Sequence, residues 1–154
     1  MNPDKDNLDK SKFWDTLALF PFAYYGFAVS YSFFHIFALR DYEPKDGQWG
    51  SFKVYLLIDG FETCVAFMGY LIGLGLLKTA AQQMPRRTLA LITTASAFLS
   101  RVVVAIMIFA RHIEPVLYDL GVYLGSLLLI PTLLGLSLVK ICQICLARRQ
   151  SIQR

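Results

Sequence analysis

Two histidines and three cysteines are all the nitrogen and sulfur ligands that this 154-residue chain offers for metal or thiol chemistry. A closed zinc site takes four such ligands. Cys142 and Cys145, in a C-x-x-C, supply two, and the others would have to come from a partner chain. A thiol relay also lacks its parts, because the remaining cysteine, Cys64, falls in the middle of a different apolar segment. His35 and His112 fall towards one edge of the apolar layer but at different depths, which does not suit a bis-histidine haem. No nucleophile stands beside a base, no glycine-rich loop cradles phosphate, and no acid pair is spaced for hydrolysis. No catalytic residue, metal or cofactor is therefore assigned, and the chain does not read as an enzyme. A basic stripe interleaved with aromatics is missing too, which sets nucleic acid aside as a partner. The opening MNPDKDNLDKSKFWD mixes acids and lysines around no apolar core. It is neither a secretory signal nor an arginine-rich transit peptide, so the first apolar block is expected to serve as an uncleaved targeting signal.

What is present is apolar. Hydrophobic residues make up 56% of the chain and the mean hydropathy is +0.50, whereas about 45–50% is usual for a soluble domain. The excess gathers into four blocks, residues 16–39, 54–77, 88–110 and 116–139. Each is about 23–24 residues long, enough to cross a ~30 Å hydrocarbon core. The expectation is an all-α, multi-pass membrane protein, a single domain over residues 1–154. Short connections make helices that follow one another in sequence antiparallel within one four-helix bundle. The lipid bilayer is then the first partner.

Orientation is read from the basic residues. Lys5, Lys10 and Lys12, then Lys78, Arg86 and Arg87, then Lys140, Arg148, Arg149 and Arg154 fall on one side, ten in all. Arg40, Lys45, Lys53 and Arg111 fall on the other. The excess places both termini, tails 1–15 and 140–154, in the cytoplasm or its equivalent. The net charge of +4 is mostly this topology.

Helical spacing gives each block a face. Phe20, Tyr24, Phe27, Tyr31 and Phe34 recur at four and three, an aromatic stripe suited to packing, to lipid or to lining a flat ligand. Arg40–Lys53 reads as a polar loop with Pro44 and Gly47 as turn formers, and Trp49 suits the interfacial aromatic belt. In the second block Tyr55, Asp59, Glu62, Ala66, Gly69 and Gly73 share one side. Gly69 and Gly73 permit close helix approach. Thr94, Ala97, Arg101, Ala105 and Ile108 make the matching face of the third block, and Gly121 and Gly125 are a small-xxx-small pair in the fourth. Pro131 removes a helix donor and is expected to bend that helix.

Arg101 lies near the middle of its block, where a fixed cation costs roughly 2.5–3.5 kcal/mol on insertion scales. It needs a partner. Counted from the outer end of its helix it is roughly 15 Å deep, and Glu62 is roughly 13 Å deep in the second. Arg101 is therefore paired with Glu62, with Asp59 one turn nearer the outside as second acceptor. His35 and Asp119 lie at shallower depth and form the rim, Tyr31 shares the His35 face, and Tyr123 lies deeper on the Asp119 face. The expected site is an outward-facing polar pocket made of Asp59, Glu62, Arg101, His35, Asp119, Tyr31 and Tyr123, closed below by glycine packing. Three acids oppose one arginine, so an uncompensated negative charge calls for a proton or a cation. That reading makes the chain a binder or carrier of a proton, a cation or an amine-bearing amphiphile, with four helices needing to oligomerise to enclose a path. The alternative is a non-catalytic accessory subunit of a larger membrane complex, its polar groups serving only to lock helices together.

Overall fold

The structure, a computed structural model, describes residues 13–38, 45–82, 84–110 and 117–152. Every described element is helical: α1 (Leu19–Ala38), α2 (Lys45–Leu76), α3 (Lys78–Gln82), α4 (Arg86–Ala110) and α5 (Leu117–Ile152). A helical turn beginning at Phe13 leads into α1 through the Ala18 N–H donated to Trp14 O at 3.0 Å. Four segments are long and apolar enough to cross a membrane: Phe13–Ala38, Gly47–Leu76, Arg86–Ile106 and Gly121–Cys145. Their outer surface agrees. Phe22, Leu57, Leu91 and Leu76 are each at least 70% exposed, an apolar coat that water does not tolerate over so wide an area but lipid does. The chain reads as a multi-pass membrane protein.

Several boundaries differ from the sequence reading. The polar loop is shorter, because helix α2 already begins at Lys45 and carries Trp49 within it. There Trp49 packs edge-on against Phe37 and Phe52 at 4.9 and 6.1 Å between ring centroids, an aromatic collar joining the ends of α1 and α2. The stretch after Leu76 contains the one-turn helix α3. The tail after residue 139 is not separate from the last span, since α5 continues to Ile152 and runs helical through Pro131. Residues 1–12, 39–44, 83, 111–116 and 153–154, with His112 and most of the N-terminal tail, lie outside the described residues.

Helix order around the bundle is α1, α2, α5, α4. Helix α1 packs on α2 and α4, and α5 packs on the same two. Consecutive helices α1 and α2 are antiparallel, as Phe20 meets Tyr70 near one end and Phe33 meets Phe52 near the other. Packed neighbours, however, also include parallel pairs. In α2 and α5, contacts advance together from Glu62–Tyr123 to Gly69–Thr132 and Tyr70–Gly135. Helices α2 and α4 occupy opposite corners and meet only through long side chains.

Glycine decides the α2–α5 contact. A Cβ on Gly69 would overlap the Leu128 carbonyl, and one on Gly73 would lie 2.7 Å from the Thr132 oxygen. Helices this close let Thr132 Oγ1 donate to the Gly69 carbonyl at 2.7 Å, a link between main chain and side chain that lipid cannot replace. Gly121 and Gly125 do not share this role, since a Cβ on either has no neighbour within 4 Å. The small residue that seats against α2 lies lower on α5, where a Cβ on Gly135 would come within 3.1 Å of the Tyr70 ring.

Two faces are also rotated from expectation. Helix α1 buries Phe20, Tyr24, Ala28, Ser32 and Ile36 at strict fourth positions, leaving Phe27, Tyr31 and Phe34 towards lipid. In α4 the buried positions are Leu89, Ile92, Thr93, Ser96, Ala97, Ser100, Arg101 and Val104, while Thr94 is exposed. In water an aromatic stripe must be covered, but in a bilayer lipid covers it equally well. On these two helices Ser32, Thr93, Ser96 and Ser100 turn inward, while Ser30 and Thr94 do not.

Candidate functional site

At mid-height of the bundle all four long helices send polar groups to one point. Helix α2 supplies Asp59 and Glu62, three residues apart and so on one face. Their residues are 2% and 4% exposed. Helix α4 sends Arg101, 7% exposed, across the diagonal. Its Nη1 donates to Glu62 Oε2, and its Nη2 donates to Asp59 Oδ1 at 3.3 Å. One guanidinium thus bridges two carboxylates, which its planar fork of donors is shaped to do.

The remaining helices complete the acids. From α5 the Tyr123 hydroxyl donates to Glu62 Oε1. From α1 the Ser32 hydroxyl donates to Asp59 Oδ2 at 2.8 Å. Both oxygens of each carboxylate are therefore occupied by donors. Tyr24, also from α1, places its ring 5.8 Å from the Arg101 guanidinium carbon, within cation–π range. The Tyr24 hydroxyl and Arg101 Nε are buried without a hydrogen-bond partner. Thr63 fixes the helix locally by donating to the Asp59 main-chain oxygen at 2.6 Å.

Four of the residues expected at the site, Asp59, Glu62, Arg101 and Tyr123, come together here. Two do not. Tyr31 and His35 stack on each other with ring centroids 6.1 Å apart, on the side of α1 turned from the cluster. Each precedes a buried residue, Ser32 or Ile36, by one position, which rotates it by roughly 100° on a helix. Tyr31 meets Arg101 only across a small crevice of about 150 Å³, otherwise walled by Phe27, Phe98, Val102 and Ala105. The side chain of Asp119 lies outside the described residues, although its backbone belongs to α5. Sequence reasoning missed Ser32, and it placed Tyr24 in one aromatic stripe with Tyr31 and not against Arg101. The run holds two serines, and of these Ser30 is exposed and bonds its own helix at the Gly26 carbonyl, so serine alone did not mark the face.

The packing is tight, not open. With the described side chains, the three charged groups are over nine-tenths buried and in mutual contact. Two carboxylates face one guanidinium, so full ionisation leaves one negative charge in excess. Among the described residues no group of three or more His, Cys, Asp or Glu is placed to hold a metal ion. The cysteines are free: Cys64 and Cys145 are exposed and Cys142 is half-buried. Eight residues below, the Tyr70 and Thr93 hydroxyls share a second buried bond of 2.9 Å between α2 and α4. Comparison with protein-family models, curated proteins and solved structures gave no match.

Proposed function

We propose that this multi-pass protein binds a proton at its central carboxylate pair and carries it as part of a membrane transport step. The observation that carries the reading is the charge imbalance of a buried cluster in which two acids meet one arginine. In low dielectric an uncompensated charge is expensive, and a proton removes it without needing space. A larger cation or an amine-bearing amphiphile would have to displace Ser32 or Tyr123 from the carboxylates. Glu62 takes direct donors from Arg101 and Tyr123 and serves as the close partner of the guanidinium. Asp59, at 3.3 Å from the guanidinium, holds the exchangeable proton on Oδ2, where the Ser32 hydroxyl then accepts in place of donating. Both termini are placed on the cytoplasmic or equivalent side, by the basic residues of the tails and of the α2–α4 connection.

Infrared spectroscopy of the purified chain in lipid tests the binding step. A protonated-carboxyl band is expected at neutral pH, and Asp59→Asn should remove it. A wild-type spectrum without that band refutes the proposal. Proteoliposomes loaded with a pH-sensitive dye test the transport step, where Asp59→Asn should abolish the flux and an unchanged flux rules out Asp59 as the proton carrier.

One observation favours a second reading, an accessory subunit of a larger membrane complex. The Gly121–Gly125 face of α5 has open space where a Cβ would be, and small-xxx-small faces seat other helices. Co-purification with fixed partner subunits, lost in Gly125→Leu, would support that reading. A chain that purifies alone and monodisperse would not.

A further inference from the structure

We propose that a cavity at the basic end of the bundle binds an anionic phospholipid through its phosphate. The cavity, of about 290 Å³, lies where the turn before α1, the one-turn helix α3 and the start of α4 meet. This is close to the lower end of small-molecule sites, roughly 300–1,000 Å³. Its walls are of two kinds. Phe13, Ala81, Met84 and Leu89 form an apolar side, and the last three are buried in the core. Thr16, Gln82 and Arg86 supply the polar side, and no acidic residue is among those lining it.

That division matches an amphiphile standing at the membrane surface. Phe13 and Arg86 are the first residues of two spans, so the cavity sits at headgroup height. Arg86 is exposed and free to orient, and its guanidinium can take two phosphate oxygens at once. Gln82, one turn of chain away and also exposed, offers an amide donor. The apolar wall then accepts the glycerol end of the acyl chains, which continue along the lipid face. The surroundings favour an anionic headgroup over a zwitterionic one. Lys78 stands on the same connection, and basic residues near a membrane surface attract anionic lipid.

The full chain, purified in detergent and supplied with phosphatidylglycerol or phosphatidylcholine, is examined by native mass spectrometry. Wild type should retain phosphatidylglycerol about tenfold better than Arg86→Gln, the fold-change expected for losing one charge-assisted phosphate contact. Arg87→Gln, outside the cavity, should retain it as wild type does. Soluble glycerol phosphate should not displace the lipid. Equal retention of the two lipids, equal losses in both variants, or displacement by glycerol phosphate each overturns the proposal. The last of these outcomes would assign the cavity to free phosphate. Arg86 is exposed, so its replacement leaves the core intact, which a helical circular dichroism spectrum checks.

Discussion

Tyr70 and Thr93 share a hydrogen bond of 2.9 Å across the diagonal of the bundle, eight residues along each helix from the Glu62–Arg101 pair. At 1.5 Å per residue the two bonds are about 12 Å apart on both helices. Helices α2 and α4 are thus pinned at two levels in a single antiparallel register, although neither packs its backbone on the other. A slide or rotation of one helix breaks both pins together.

Loss of the upper pin should be severe. Arg101→Leu leaves two acids buried without their counter-charge, and breaking a buried pair costs about 3–5 kcal/mol. The triple variant Asp59→Asn, Glu62→Gln, Arg101→Leu should recover much of that loss. Thermal unfolding in one detergent ranks the three proteins. A triple variant no more stable than Arg101→Leu contradicts the charge explanation.

The lower pin is a milder case. Tyr70→Phe keeps the ring against Gly135 and removes only the hydroxyl. Interhelical bonds of this kind are worth about 0.6 kcal/mol on average and about 1.7 at most. Thr93→Val should cost a similar amount, and the double variant no more than either single one by much. A double-mutant cycle with no coupling would contradict a bond between these hydroxyls.

Close approach of α2 to α5 predicts a contrast among glycines. Gly73→Leu drives a side chain into the Thr132 backbone and should destroy the monodisperse fold. Gly75→Ala, with nothing within 4 Å, should leave it intact and slightly firmer, since alanine favours helix by roughly 1 kcal/mol over glycine. Size-exclusion profiles and melting temperatures distinguish the two outcomes.

Orientation is open to a direct test with the natural cysteines. Cys145 is exposed on the last turns of the fourth span, and Cys64 is exposed on the lipid side of α2. A charged, membrane-impermeant thiol reagent should reach Cys145 in inside-out vesicles and not in right-side-out ones. Cys64 should stay unlabelled in both. Labelling of Cys145 from the outside reverses the assigned topology.

The second span was the most legible part of the sequence. Its acids and glycines fell at alternating spacings of three and four, and polar cost and close packing both force such residues inward. Arg101 found Glu62 by depth alone, because two straight helices of known rise fix where their charges meet. The aromatic stripe of α1 misled because hydrophobic periodicity has no meaning where the solvent is itself apolar. Ser32, Thr93, Ser96 and Ser100 turn inward, but Ser30 and Thr94, equally small and polar, face outward, so the inward face was not legible from these residues alone. Gly121 and Gly125 carried the same motif as Gly69 and Gly73. Their different use depends on how far down α5 the parallel partner touches it, a tertiary fact with no local signature.

The division of the cluster between two hairpins has a consequence for synthesis. Asp59 precedes Arg101 by 42 residues and Glu62 precedes it by 39. At about 5–20 residues per second, the acids wait some seconds for their cation. In that interval the first hairpin has only the Ser32 hydroxyl to offer Asp59, while both Arg101 and Tyr123 arrive with the second. A chain released after the second span would carry two acids that nothing nearby neutralises. Such a truncated chain should be held at the insertion machinery or degraded, and the arrival of the third span is the event that commits the first pair to lipid.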